Sequence, residues 1–207
     1  MAWYRRRALV FFSLSSLAIV LTYIWVLEPV APRWAQPAPV VAVLALAAWR
    51  AFRTGEWGLR ARAFLPALGW AAAFTTVAAA VLLLASARVG ALAHASDLGD
   101  LVVSLPLLVA WALGQQFALQ TMILRESQQV LGRRAGIVIA PLMFAALHLP
   151  NPFLATATAV AALAWCWIYD RHPNLAPLAF SHALLTVAVL YALNDAVTLR
   201  VGAAFGR

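Results

Sequence analysis

The chain has 207 residues, of which 65% are hydrophobic and 11% charged, and its mean hydropathy is +0.87. A soluble domain has roughly 45–50% apolar and about 25% charged residues, so this composition excludes one and indicates an integral membrane protein. The net charge is +8, from 15 basic and 7 acidic residues. The basic residues are all arginines, and most of them lie at the ends of apolar runs. That pattern is typical of topology signals and not of a nucleic-acid groove.

Seven long uncharged stretches are predicted to cross the bilayer, since about 20 apolar residues span its hydrocarbon core. In chain order they are residues 8–27, 38–49, 64–87, 101–124, 136–149, 153–169 and 176–193. The second and fifth are short, which indicates that they are tilted, partly re-entrant or longer than the uncharged run. The sequence therefore predicts an all-α polytopic membrane protein with about seven transmembrane helices, within a range of six to eight.

The distribution of arginines predicts the orientation of these spans. With the N-terminus in the cytoplasm, eleven arginines fall on the inside and four on the outside, as expected because cytoplasmic loops carry the excess of basic residues. We expect a multi-pass protein of the cell membrane, in contact with the lipid bilayer. Within one integral membrane domain, residues 1–99 form three spans with their loops, and residues 100–207 form a four-span core with a polar intramembrane cavity.

A few polar side chains lie deep in the predicted spans, where each must face another helix or a wet cavity. They are Gln115, Gln116, Gln120, His148 and His182, with Thr186 beside the last. A helical rise of about 1.5 Å per residue puts four of them roughly 9–18 Å from the inner ends of their spans. We therefore expect a shared polar cavity, although any single glutamine is also explained as an interhelical hydrogen-bond donor.

Three short motifs around these residues resemble the CPBP (Abi) membrane proteins, which include type II CAAX prenyl endopeptidases and bacteriocin-processing and immunity proteins. FAALH, residues 144–148, followed by LPNP, resembles the F-x-x-x-H motif of that family. Gln115-Gln116-x-x-x-Gln120 stands where the family has E-E-x-x-x-R, and His182-x-x-x-Thr186 stands where it has H-x-x-x-N or similar. Order and spacing are kept over residues 100–194, about half of the chain.

The resemblance implies hydrolysis of a peptide within the membrane. In the family, a glutamate of the first motif activates water with help from the second-motif histidine, and the third motif holds the developing oxyanion. Carried over to this chain, it implies catalytic roles for His148, His182, Gln115 and Gln116, and substrate contacts for Gln120, Phe144, Asn151 and Thr186. The implied partner is a membrane-embedded peptide or protein, and neither a cofactor nor a metal is implied.

Glutamine departs from the family pattern where the chemistry depends on it most. Its amide neither accepts a proton usefully nor carries a negative charge, and loss of such a base commonly lowers a rate by on the order of 10²–10⁴. Two functions stay open. The chain is an endopeptidase in which neutral His148 replaces the missing base, or an inactive pseudoprotease that binds a peptide or lipidated partner in an immunity, chaperone or scaffold role.

Other chemistries are disfavoured. A catalytic zinc takes three protein ligands, and the polar layer offers only two histidines. Ser181 adjoins His182, and adjacent helical residues point about 100° apart, which weakens a serine route. Glu126 is predicted at the water interface, roughly 15 Å along the helix axis from Gln116, too far to replace it.

Overall fold

The computed structural model describes residues 2–90, 99–100, 102–193 and 200–205. Within this part of the chain the helices are α1 (Ala2–Thr22), α2 (Ala38–Thr54), α3 (Phe64–Val89), α4 (Leu105–Phe117), α5 (Arg125–Leu131), α6 (Arg133–Ala146), α7 (Pro152–Arg171) and α8 (Leu175–Leu193). One π-helical segment, Tyr23–Leu27, follows α1, and a second, Ala118–Leu124, joins α4 to α5. Short 3-10 turns lie at Arg33–Ala35, Ala61–Ala63 and Gly202–Ala204. The predicted all-α fold is confirmed.

Each of the seven predicted spans lies on a helix. Among the described residues, five helical runs are long and apolar enough to cross a membrane, and they are Arg33–Thr54, Ala61–Arg88, Leu105–Leu131, Pro152–Arg171 and Leu175–Leu193. A shorter apolar run covers Phe11–Leu27. The fifth predicted span corresponds to α6, whose 14 residues are fewer than the roughly 20 of an ordinary crossing. The chain is a multi-pass integral membrane protein, and its helices fit about seven membrane spans.

The second predicted span is longer than its uncharged run. Arg50 and Arg53 end that run, yet α2 continues to Thr54. It stops at Gly55, whose φ of 74° is a left-handed conformation that glycine adopts without a steric penalty. The inside position of the N-terminus stays a prediction, and the side chains of residues 5–7, on which it partly depends, lie outside the described part.

The chain divides into two compact units. Unit 1 comprises Met1–Gly58, Phe117–Asp170 and Leu199–Arg207, and unit 2 comprises Leu59–Gln116 and Arg171–Thr198. The predicted division into residues 1–99 and 100–207 stays a prediction, and residues 91–98 beside that boundary lie outside the described part.

In unit 1 the π-helical segment Ala118–Leu124 lies at the centre of the packing. All seven of its residues are buried, and α1, α2, α5 and α6 contact it. Trp165 and Tyr169 of α7 add two of the largest buried side chains of the chain. Buried aromatic rings contribute large apolar contact areas, so they stabilise this unit where water is excluded.

Paired charges join several helix ends of unit 1. The Arg125 Nε donates to the Glu56 carboxylate at 2.7 Å, and the Arg125 guanidinium lies 5.0 Å from the centre of the Tyr169 ring. Arg133 at the start of α6 pairs with Asp170 at 2.7 Å, and hydrogen bonding to that carboxylate raises the pKa of Arg133. These arginines therefore hold helices of unit 1 together.

Unit 2 is built on the pairing of α3 with α8. The Thr75 hydroxyl donates to the Ala71 carbonyl at 2.7 Å and lies 2.6 Å from the Ser181 hydroxyl of α8. A second contact region packs small against large residues, namely Ala112, Ala179 and Ala183 with Leu105, Leu108 and Val109. Small side chains let membrane helices approach closely, and the buried hydroxyl pair fixes their register.

Candidate functional site

Gln116 and His182 meet inside unit 2. Gln116 lies near the end of α4 and is 0% exposed, and His182 lies in the first half of α8. The Gln116 Nε2 is 3.4 Å from the His182 Nδ1. An amide nitrogen carries only donors, so the His182 Nδ1 accepts and the proton of the neutral ring resides on Nε2. His182 thus has a hydrogen-bond donor on the ring nitrogen opposite the glutamine.

Gln115 and Thr186 flank this pair. Gln115 is half-buried and, as the neighbour of Gln116 on a helix, is rotated from it by about 100°. The Thr186 hydroxyl, one turn after His182, donates to the His182 carbonyl at 3.0 Å. This bond to its own helix is the usual arrangement for a membrane threonine. Substrate contact by Thr186 stays a prediction.

A cavity of about 160 Å³ lies between α3 and α8 of unit 2. Thr75, Thr76 and Ser181 give it hydroxyl groups, while Leu68, Phe180 and Leu184 are among its apolar lining residues. Ser181 precedes His182 in the sequence, so the cavity begins one residue from the candidate histidine. Its mostly apolar wall suits hydrocarbon more than a charged group.

His148 and Phe144 lie together in unit 1, at the end of α6. The His148 Nδ1 is 2.9 Å from the Phe144 carbonyl oxygen, and the two rings meet edge to face with centroids 5.2 Å apart. A carbonyl can only accept, so Nδ1 carries the proton and Nε2 of the neutral ring keeps its lone pair. His148 therefore has the opposite tautomer to His182, with an acceptor where His182 has a donor.

Asn151 has structural bonds in unit 1. Its Oδ1 accepts from the Leu154 amide at 2.9 Å, which caps the start of α7, and its Nδ2 donates to the Arg200 carbonyl at 3.2 Å. Side-chain oxygens that bind an amide near a helix start satisfy one of its unpaired donors. The sequence signal for this role is an Asn directly before a Pro, because Pro152 is the first residue of α7 and Pro is favoured at that position. Substrate contact by Asn151 stays a prediction.

Gln120 is completely buried in the π-helical segment of unit 1. Its side chain lies beside the thiol of Cys166, a fully buried residue of α7. The predicted contact of Gln120 with substrate, like the shared cavity of glutamines and histidines, stays a prediction. The candidate residues divide as Gln115, Gln116, His182 and Thr186 in unit 2 and Gln120, Phe144, His148 and Asn151 in unit 1.

A buried ion pair in unit 1 was not predicted from the sequence, which placed Glu126 at the water interface. Arg50 and Glu126 are each 1% exposed, and the Arg50 Nε lies 3.5 Å from the Glu126 carboxylate. The sequence offers only a weak signal for this pair, because Arg50 follows the second predicted span and Glu126 follows the fourth. Glu126 is paired and buried here, which leaves it unavailable as a water-activating base. Within the described residues, no group of three histidine, cysteine or acidic side chains is placed to hold a metal ion.

Comparison with known proteins gives one family. Residues 97–188 match the model of type II CAAX prenyl endopeptidase Rce1-like proteins, and this range contains all eight candidate residues. No curated protein and no solved structure matches the chain. The predicted family is confirmed for this part of the sequence.

Proposed function

Since residues 97–188 match the model of the type II CAAX prenyl endopeptidase Rce1-like family, we propose that the protein binds a membrane-associated peptide and does not cleave it by the glutamate-dependent route of that family. The observation that carries this proposal is the contact between Gln116 and His182. An amide lies where the family resemblance expects the catalytic glutamate. Amides do not take up a proton near neutral pH, so this pair cannot activate water as a carboxylate would.

The same pair is suited to binding. We propose that the neutral His182 ring, whose Nδ1 faces Gln116, donates from Nε2 to the ligand. Peptide carbonyls and terminal carboxylates are the acceptors that such a donor recognises. In a site shielded from water this hydrogen bond is stronger than in solution, because little competes for it. We propose an immunity, chaperone or scaffold role for a protein that holds a peptide in this way.

The acidic side chains Glu126 and Asp170 of unit 1 are engaged in other contacts. In unit 1 the Glu126 carboxylate accepts from the Ser13 hydroxyl and amide and faces Arg50. Asp170 is bound by Arg133 and Gln128. Both carboxylates are therefore already engaged by other groups within unit 1.

A specific observation supports a second candidate, an endopeptidase with His148 as the base. The bond of its Nδ1 to the Phe144 carbonyl leaves Nε2 with a lone pair, and a neutral imidazole in this tautomer can take a proton from water. This route predicts that His148→Ala lowers cleavage of a membrane peptide by on the order of 10²–10⁴-fold. His148→Gln, which keeps a polar side chain without a titratable nitrogen, should fail equally.

Binding is tested by co-purification with defined partners. Membrane proteins encoded beside this one are each given an N-terminal tag, co-expressed with it and solubilised in mild detergent. We expect one of them to retain the wild-type chain, and His182→Leu to reduce retention by about tenfold, as loss of one hydrogen bond of about 1.4 kcal/mol would do. Thr156→Val, which removes only a bond within α7 at an exposed position, is the matched control and should be retained by the partner like the wild-type chain.

The proposal is contradicted if the partner retains His182→Leu and Thr156→Val equally well. It is contradicted too if the tagged partner that retains the wild-type chain has been cleaved. The two variants are compared at equal amounts in the membrane, measured by Western blot, which excludes poor expression. The intact mass of the tagged partner shows whether it has been cleaved.

A further inference from the structure

Arg50 is an unusual residue for a membrane helix. It lies in α2 within a helical run apolar enough to span a membrane, and it is 1% exposed. Its Nη1 donates a hydrogen bond to the backbone carbonyl of Thr121. A buried arginine inside a span is costly unless it is paired, so its contacts indicate what it is retained for.

Thr121 belongs to the π-helical segment Ala118–Leu124. π-helical turns are rare, occur mostly as single turns inside α-helices and are frequent at functional sites. The Thr121 hydroxyl donates to the Phe117 carbonyl at 2.7 Å, and the Thr121 carbonyl receives Arg50. Gln120 precedes Thr121 directly, so the bond from Arg50 fixes the backbone next to this glutamine.

Glu126 orients the guanidinium from its other side. Its Oε1 lies 3.5 Å from the Arg50 Nε, and its Oε2 accepts from the Ser13 amide at 2.9 Å and from the Ser13 hydroxyl at 2.6 Å. The side chain of Arg50 is thus held between α5 and the π-helical segment, while α1 holds the carboxylate. The arrangement leaves little freedom to the arginine, which is a condition for positioning another group.

We propose that Arg50 is a positioning residue, which holds Gln120 in place through the Thr121 carbonyl. Its importance for a ligand rests on the proposed function, because Gln120 is one of the predicted ligand contacts. The structural part of the proposal does not depend on any ligand. It predicts that loss of the guanidinium loosens the segment around Gln120 even when no unpaired charge is left behind.

Cys166 provides a local probe of that segment. It is the single cysteine of the chain, it is completely buried, and its thiol lies beside Gln120. A maleimide reagent reaches it only when the packing around Gln120 opens, so the labelling rate reports the local opening equilibrium. The wild-type protein in detergent should therefore label slowly below its melting temperature.

The proposal is tested with four proteins, namely the wild type and the variants Arg50→Leu, Arg50→Leu/Glu126→Leu and Arg53→Leu. Arg50→Leu and the double variant Arg50→Leu/Glu126→Leu should both label at least about tenfold faster than wild type, equivalent to about 1.4 kcal/mol in local opening. The double variant buries no lone charge, so it should fold even where Arg50→Leu does not. Arg53→Leu, which removes an exposed arginine one turn further along α2, is the matched control and should label like wild type.

Labelling is compared at a temperature well below the lowest measured melting point, which separates local opening from global unfolding. If the double variant labels as slowly as wild type, Arg50 serves only to neutralise Glu126 and the proposal is overturned. Equal acceleration by Arg53→Leu would overturn it as well, because the effect would then belong to α2 as a whole. Neither result bears on the contact of Gln116 with His182, which is tested separately by partner retention.

Discussion

The Gln116 Nε2 lies 3.4 Å from the His182 Nδ1, and the glutamine is completely buried. This separation is at the long end of the hydrogen-bond range, where N–H donors usually lie about 2.7–3.2 Å from their acceptors. A carboxylate in the same place would make a shorter, charge-assisted bond with a proton on Nδ1. The amide reverses the direction of that bond, and with it the position of the imidazole proton.

Opposite tautomers are therefore predicted for the two candidate histidines. His182 should carry its proton on Nε2 and His148 on Nδ1, because the first ring accepts from an amide and the second donates to the Phe144 carbonyl. Nitrogen-15 chemical shifts of the labelled histidines in detergent, assigned with His148→Phe and His182→Phe, measure this directly. Gln116→Glu should move the His182 proton to Nδ1 and leave His148 unchanged. Identical tautomers in the wild-type protein would refute the assignment.

Asn151 should be required for stability through the start of α7. Asn151→Ala removes the acceptor of the Leu154 amide and the donor to the Arg200 carbonyl, so we expect a loss of about 1–2 kcal/mol. Asn151→Asp keeps the acceptor and should lose less. Thermal unfolding in detergent orders the three proteins, and an alanine variant as stable as wild type would contradict the capping role.

The hydroxyl pair of unit 2 gives a matched comparison on α3. Thr75→Val removes the partner that lies 2.6 Å from the Ser181 hydroxyl in a buried position, whereas Thr76→Val changes an exposed neighbour. We expect Thr75→Val to lower stability by about 0.5–1.5 kcal/mol and Thr76→Val to have little effect. Equal melting temperatures for the two variants would show that the pair does not join α3 to α8.

Two helical glycines should respond oppositely to alanine. A Cβ on Gly136 of α6 would lie 2.6 Å from the Gln128 backbone nitrogen, whereas a Cβ on Gly69 of α3 has no atom within 4 Å. Gly136→Ala should cost about 1–3 kcal/mol through overpacking, and Gly69→Ala should be neutral or stabilise by up to about 1 kcal/mol. Thermal unfolding separates them, and a tolerated Gly136→Ala would mean that α5 and α6 shift apart easily.

Most of the helical architecture could be predicted from the sequence, because the bilayer requires about 20 apolar residues for each crossing and leaves backbone groups no partner outside the helix. Helix ends at charged residues are less predictable. Arg50 ends the uncharged run, yet α2 continues to Thr54, since Glu126 compensates the buried guanidinium. A partner so distant in the sequence leaves no local signal.

The candidate site is predictable only in part. Similar depth in two spans points to Gln116 and His182 as neighbours, and they are in contact. Depth along a helix does not determine which way a side chain faces, which is why the position of Gln120 beside Cys166 has no sequence signal. The π-helical segment around Gln120 is equally hidden, because it depends on contacts such as that of Arg50 with the Thr121 carbonyl.

The central claim is that this protein binds a membrane peptide without cleaving it. The measurement that tests it most directly is the intact mass of the tagged partner after co-expression with the wild-type chain and with His148→Ala. An amide at position 116 predicts the same full-length mass in both samples, since neither protein has a base supplied by Gln116 and His182. A shortened partner in the wild-type sample that is full-length with His148→Ala would contradict the binding account and establish His148-dependent hydrolysis.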